Sequence, residues 1–462
     1  MKHCFLAAVA GLFLLDISCT MKKEKESSDP GQGEVKLITL DPGHFHAALV
    51  QKSSYPGVSK DVYVYAPQGA DLDEHLKRIE GYNTRADNPT EWNEIVYAGA
   101  GFVEKMLGEK KGNVMVTAGN NGKKAAYIQQ TLAAGINVLA DKPMAIRTAD
   151  FEKLKECFDI AEQKGLLLYD IMTERFEITT LLQREFSMLP QLYGEQQKGT
   201  PENPGIVKES VHHFFKTVSG QPLIRPAWFF DVDQQGEGIV DVTTHLVDLV
   251  QWECFPEQVI NYLADIELLD ANRWTTALSA GQFKEVTGLD AYPDYLQQNV
   301  SNDTLYVYAN GDIYYTVRGV NAKVSVVWNY TYPEGGGDTH YSIMKGSKAH
   351  LVIEQGKEQN YKPVLFIKAA GSDPEAFENE LQNSLKTITA KYPGVDLKKL
   401  ARDKWEVVVP AEYHNGHEAH FGQVTENFLK YLKAGSLPAW EVPNMIAKYY
   451  VTTRALELAR SK

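Results

Sequence analysis

The chain has 462 residues, 44% of them hydrophobic, and a formal net charge of −13 from 47 Lys plus Arg against 60 Asp plus Glu. That balance excludes a nucleic-acid binder, which needs a basic face to displace counterions from phosphates, and it excludes a disordered or collagen-like chain. After residue 20 no apolar run approaches the ~20 residues needed to cross a bilayer, so a multi-span membrane protein is excluded as well.

Residues 1–19, MKHCFLAAVAGLFLLDISC, join Lys2 and His3 to the apolar run from Phe5 to Leu15, the length of a secretory signal. Ser18 precedes Cys19, as in a bacterial lipoprotein signal whose cysteine is lipidated, although Asp16 stands where such signals prefer Leu. A plain secretory signal is the second reading. Residues 20–34 have linker composition. The expected location is therefore exported, periplasmic or at the bacterial cell envelope, with membrane contact only through a lipid on Cys19. Cys157 and Cys254 then remain, far apart, and read as free thiols.

From Val35 the pattern alternates strand and helix. Strands are predicted at Val35 to Leu40, Asp61 to Tyr65, Glu94 to Tyr97, Asn113 to Thr117, Asn137 to Ala140 and Leu166 to Tyr169. Between them helices are predicted at Asp71 to Ile79, Phe102 to Glu109, Lys123 to Ala134 (closed by Gly135) and Phe151 to Lys164. Such alternation over residues 35–170 implies a Rossmann-like, doubly wound parallel sheet. Residues 171–462 read as an α+β domain with a large open, mainly antiparallel sheet. Its strand-like runs are Val207 to Phe215, Val259 to Leu268, Thr304 to Tyr308, Ile313 to Arg318, Val324 to Tyr330, Leu351 to Glu354 and Val364 to Ile367. Asn310-Gly311 reads as a hairpin turn, because both residues tolerate positive φ. Helices near Ala419 to Lys433 and Asn444 to Arg460 follow.

Three stretches carry candidate chemistry. The turn after the first strand is Asp41-Pro42-Gly43-His44-Phe45-His46. A dinucleotide-binding turn would place G-x-G-x-x-G there, and only the middle glycine remains, so a tight strand-to-helix turn is an equal reading. The fourth helix-linked strand ends in Asp141-Lys142-Pro143, which aims an ammonium at the crevice where parallel sheets bind ligands; a solvent-exposed loop lysine is the plainer alternative. Gly236-Glu237-Gly238 then leads into Asp241, His245 and Asp248, which share one face if the stretch is helical. A carboxylate one turn from an imidazole suits proton transfer, whereas a helix start with Asp241 against the dipole and a surface His would need no function. A fourth stretch, His414, His417, Glu418 and His420, lacks a metal-ligand spacing and reads as a polar loop, so no metal is expected. His212 and His213, on a predicted strand, should point to opposite faces.

Taken together, strand–helix alternation, D-K-P and G-x-G-I-V-D-x-x-x-H resemble the glucose–fructose oxidoreductase, inositol dehydrogenase and rhizopine catabolism (Gfo/Idh/MocA) family. The resemblance spans roughly Val35 to Arg460 and includes Thr173-Glu174-Arg175-Phe176 and Gly346-Ser347-Lys348-Ala349. It implies that Lys142, Asp241 and His245 are catalytic. NAD or NADP, tightly held, would sit on Gly43, His44, Phe45, His46, Thr117, Asn120, Asp141 and Lys142. Arg175, His213, Asp248 and His417 would face the substrate. Asp141 departs from the family's Glu, His44 and His46 add bulk at the turn, and the usual Thr-Pro is missing from Thr117-Ala118-Gly119.

The implied function is an NAD(P)-dependent oxidoreductase acting on a hydroxyl of a sugar, sugar derivative or cyclitol. One alternative is an NAD-dependent glycosidase that oxidises the sugar transiently with no net redox change. Another is a non-catalytic glycan-binding surface lipoprotein on the same fold. By family analogy a sheet-to-sheet homo-oligomer is expected.

Overall fold

The computed structural model describes residues 34–218, 221–371 and 373–462. The stretch expected to be a signal, with Cys19, and the expected linker up to residue 33 lie outside the described residues. Glu34 to Lys462 form one compact unit.

The first sheet contains β1 (Leu37–Leu40), β2 (Asp61–Ala66), β3 (Asn93–Ala98), β4 (Val114–Thr117), β5 (Asn137–Asp141) and β6 (Leu168–Ile171), all parallel, in the order β3-β2-β1-β4-β5-β6. The connecting helices are α1 (His46–Val50), α2 (Ala70–Thr84), α3 (Phe102–Glu109), α4 (Asn121–Ala133) and α5 (Thr148–Lys164). Every residue of β1, β4 and β6 is buried, which is why these strands read as short continuous apolar runs. Strand order reverses between β1 and β4, and that reversal opens a crevice at the carboxyl ends of the strands.

The second part begins with α6 (Ile178–Ser187) and α7 (Pro190–Tyr193), followed by β7 (Ile206–His213), the small pair β8 (Thr217–Val218) and β9 (Gln221–Pro222), and α8 (Thr243–Cys254). Then come β10 (Ile266–Ser279), α9 (Ala280–Thr287), β11 (Val300–Ser301), β12 (Thr304–Val317), β13 (Val320–Asn329), β14 (Thr339–Lys345), β15 (Ala349–Gln355) and β16 (Val364–Ala369). The chain continues through α10 (Pro374–Lys391), β17 (Asp396–Ala401), β18 (Lys404–Val408), α11 (His417–Ala434) and α12 (Glu441–Arg460). Ten of these strands form one mixed sheet that is antiparallel except where β7 lies parallel to β13. Among the described residues no helix is long and apolar enough to cross a membrane. Cys157 and Cys254 are free thiols.

Two sequence expectations change here. Asn310-Gly311 is not a turn: β12 runs through it, and the hairpin to β13 is made at Arg318 and Gly319, both at positive φ. Asn310 is buried because its side chain bonds Trp274 C=O, Thr276 Oγ1 and Trp328 N–H, filling a register shift between β10 and β12. Gly311 lacks a side chain because a Cβ there would lie 2.8 Å from Ile239 Cβ. The strand predicted at Val259 to Leu268 starts only at Ile266, since Asn261 Oδ1 accepts from the N–H groups of Leu263 and Ala264 and folds that stretch into a turn.

The two parts share one helix. Met445 and Tyr449 of α12, with Phe421, Val424 and Phe428 of α11, join the core of the first sheet. Ala447, Val451, Ala455, Leu456 and Ala459 of α12 join the core under the large sheet. Buried ion pairs lock this arrangement. Lys448 of α12 lies 2.6 Å from Asp170 Oδ2 on β6 and 2.9 Å from Asp248 Oδ1 on α8. Arg175 bonds both oxygens of Asp248 at 2.6 and 2.7 Å and reaches Glu441 at 2.9 Å. Burial alone would raise the Asp248 carboxyl, but the charges of Arg175 and Lys448 hold it well below the usual carboxylate range. Removing Lys448 would leave Asp170 buried without a counter-charge and Asp248 with Arg175 alone. Lys448→Ala is therefore expected to lower unfolding stability at neutral pH by about 3–5 kcal/mol in a urea titration; a loss under about 1 kcal/mol would show that the network is not what ties the two sheets together.

Candidate active site

Lys142 follows β5 at the carboxyl edge of the first sheet, and Asp241 stands in the turn ahead of α8, which starts at Thr243. Lys142 Nζ lies 2.6 Å from Asp241 Oδ1, with only 11% and 8% of the two side chains exposed. The second carboxylate oxygen accepts from Gln235 Nε2 at 3.0 Å, so Asp241 is oriented at both oxygens. His245 sits one turn further on. Its Nδ1 is buried and, among the described residues, has no hydrogen-bond partner. Burial, then the positive charges of Lys142 and His417, hold its imidazole well below the ordinary value, against smaller opposing pulls from Asp248 and Asp141. A neutral imidazole beside an anchored ammonium is an arrangement for moving one proton.

The turn after β1 is closed on itself. Gly43 N–H donates to Asp41 C=O at 2.8 Å and His44 N–H to Ala118 C=O at 3.1 Å. A Cβ on Gly119 would lie 2.6 Å from Asp41 O and 2.8 Å from Gly43 N, so the ends of β1 and β4 meet backbone to backbone, and only glycine fits there. Thr117 is buried at the end of β4. Asn120 Nδ2 donates to Gln234 Oε1 at 2.9 Å, leaving its buried Oδ1 without a partner among the described residues. His46 Nδ1 is 2.9 Å and His44 Nδ1 3.9 Å from the same oxygen of Asp141. Burial drives both imidazoles well below the ordinary value, reinforced by the charge of His46 on His44 and of His417 on His46. Phe45 faces outward with Arg78 over its ring.

The residues expected to face substrate are divided by the structure. Arg175 and Asp248 are instead engaged with each other inside the ion network. His213 bonds Asp338 through Nδ1 at 2.9 Å, and His212 reaches the other oxygen of Asp338 at 3.4 Å. Both histidines meet one carboxylate because His213 is the last residue of β7, where strand alternation ends. Burial is the main cause that lowers the His212 imidazole below its ordinary value, against the pull of Asp338. His417 stands half-exposed at the start of α11, 3.3 Å from Thr173 Oγ1 and 3.5 Å from Glu174 Oε1, with its ring 6.0 Å from that of His46. His420 turns to Asn415 Oδ1 instead.

Three spaces adjoin this cluster. A void of about 20 Å³ is lined by His44, His46, Asn121, Asp141, Lys142, Gln235 and Asp241. A pocket of about 250 Å³ lies at the ends of β1 and β2, between Asp41 and Leu72. A cleft of about 730 Å³ runs from Gly43 and His44 past Asp71 to the aromatic wall of Trp228, Phe229 and Tyr295.

Residues 182–460 match the family model described as "Putative oxidoreductase C terminal domain", and residues 71–170 match "Oxidoreductase family, NAD-binding Rossmann fold", the Gfo/Idh/MocA model. The chain belongs to the Gfo/Idh/MocA oxidoreductase family. It is an enzyme of the oxidoreductase class. A crystal structure of a "putative oxidoreductase" from Parabacteroides merdae ATCC 43184 is 69% identical, with a TM-score of 0.92 over 93% of this chain and 98% of that one. More distant solved structures share the fold. A 3-ketoreductase from Actinomadura kijaniata, seen with NADP and TDP-benzene, is 12% identical with a TM-score of 0.53 over 90% of this chain and 95% of that one. Levoglucosan dehydrogenase, seen with NADH and L-sorbose, is 12% identical with a TM-score of 0.58 over 93% and 98%. No curated protein matches the chain.

A nicotinamide dinucleotide, implied by the family, fits this site at its two ends. The pocket between Asp41 and Leu72 would take the adenosine half, and Lys142 with the partnerless Asn120 Oδ1 would hold the nicotinamide half. The diphosphate would cross Gly43, whose missing side chain leaves a niche bounded by Asp71 Oδ2 and Trp228 Cζ2, 3.1 and 3.3 Å from where a Cβ would stand. Trp228 Nε1 donates to that same Asp71 oxygen at 3.1 Å. A carboxylate at this point repels a diphosphate by about 1 kcal/mol in a solvated cleft. Asp71→Asn is accordingly expected to bind NADH about fivefold more tightly in a fluorescence titration; equal or weaker binding would show that Asp71 does not face the phosphates.

Proposed function

We propose that the enzyme oxidises a hydroxyl of a sugar, sugar derivative or cyclitol with NAD or NADP. The observation that carries this reading is the Lys142–Asp241 ion pair, brought together from residues 99 apart, beside a neutral His245. The bound nicotinamide supplies the hydride acceptor. His245 takes the hydroxyl proton as the carbon–hydrogen bond breaks. Lys142 donates a hydrogen bond to the oxygen as it becomes a carbonyl and stabilises negative charge on it. Asp241 fixes the ammonium, and Gln235 fixes Asp241. The aromatic wall of Trp228, Phe229 and Tyr295 supplies faces on which a pyranose ring can stack. Distant members of the fold with NADH and L-sorbose, or with NADP, agree with this substrate and cofactor class. In this reading the enzyme is exported and tethered by a lipid on Cys19.

The test is production of reduced nicotinamide from a panel of pyranosides and inositols by the full chain. Lys142→Ala is expected to reduce kcat/KM by about 100- to 10,000-fold; wild-type turnover in that variant would defeat the mechanism. The active base is the neutral imidazole, and its pKa is depressed by burial, Lys142 and His417. The acid limb of the kcat/KM profile should then fall below the ordinary imidazole value of about 6.5, and a limb above it would contradict the assignment of His245.

A further inference from the structure

The turn after β1 delivers two imidazoles to one buried carboxylate. The ligand atoms of His44, His46 and Asp141 all lie within 4.8 Å of one another, the sole such group of histidine, cysteine and carboxylate side chains among the described residues. Their side chains are 19%, 11% and 6% exposed. Two imidazoles and one carboxylate form the donor set of catalytic zinc sites and of non-haem iron(II) sites, both of which leave coordination positions open.

A plain hydrogen-bonded triad does not account for this geometry. Asp141 Oδ2 can accept from His46 at 2.9 Å, but His44 Nδ1, at 3.9 Å, is out of hydrogen-bond range of it. The contact recorded for His44 Nδ1 is the long 3.4 Å approach of the His46 N–H. Beside these atoms lies the void of about 20 Å³, enough for about one water-sized occupant. Outer contacts fix the rings. Phe421 packs 4.5 Å from the His46 ring, and His44 and His46 meet edge-on at 3.9 Å.

We propose that His44, His46 and Asp141 bind one divalent transition-metal ion, zinc(II) or iron(II), with its open positions facing the void shared with Asn121, Gln235 and Asp241. Two ammonium groups oppose a cation here. Lys142 is paired with Asp241, and Lys124 is held by Asn121 Oδ1 at 2.6 Å and Asp141 C=O at 2.8 Å. The ion therefore enters a site that is close to neutral, and its affinity is lower than the same ligands would give without the lysines. The proposal is independent of the sugar oxidation above, because its readout is metal content and spectrum.

The full chain, stripped with a chelator, is titrated with zinc(II) in air and with iron(II) under anaerobic conditions, and bound metal is counted by mass spectrometry. One equivalent per chain of either ion is expected, and the arm that saturates names the metal. His46→Ala and Asp141→Asn are expected to weaken binding more than about tenfold, while His414→Ala, on the exposed turn ahead of α11, leaves it unchanged. Less than half an equivalent of both ions in a folded wild-type chain would overturn the proposal, as would wild-type affinity in folded His46→Ala and Asp141→Asn. Should those variants not fold, cobalt(II) on the wild-type chain decides: visible d–d bands without a sulfur charge-transfer band support nitrogen and oxygen ligands, and no visible band, or a sulfur band, overturns them.

Discussion

The whole arrangement rests on a charge network in the protein interior, two cations set against three carboxyl groups. Arg175 and Lys448 face Asp170, Asp248 and Glu441, and these five groups come from β6, the segment after it, α8 and α12. Tyr449 and Tyr169 add hydroxyl donors to Asp170 and Glu441. In a low-dielectric interior such a set tolerates little misregister, because any displaced member leaves an uncompensated charge. Since α8 bears His245 and β6 lies beside β5, which ends at Asp141 ahead of Lys142, the network sets where Lys142 and His245 stand relative to each other.

Much of the first sheet was legible because its strands are buried on both faces. Runs such as Leu37–Leu40 and Val114–Thr117 have no polar alternation, and the helices between them announce parallel crossovers. Lys142 and Asp241 were legible as family motifs, and they meet in space. Arg175 and Asp248 carried the same signal, yet they belong to the ion network, since Lys448 and Glu441 lie some 200 and 266 residues from them in the chain. Local pattern cannot see such partners. The same blindness affects Asn310, whose turn-like dipeptide is claimed by a distant register shift, and His212, whose partner Asp338 lies far along the chain.

The acidity of the chain bears on the cofactor turn. Beside Gly43 stands Asp71, the turn amides of Gly43 and His44 already bond the chain, and Lys142 answers to Asp241. A dinucleotide bound here would be held more by its two ends than by its phosphates. That is the physical meaning of a glycine fingerprint reduced to one residue.

A helix that fills two cores at once has a mechanical consequence. With α12 packed into both, the sheets cannot rock against each other as hinged lobes without stripping apolar surface from one of them. Ligand exchange then falls to side chains at the rim. The indole of Trp228, joined to Asp71 by a single hydrogen bond, can swing on the timescale of a rotamer change rather than of a domain movement.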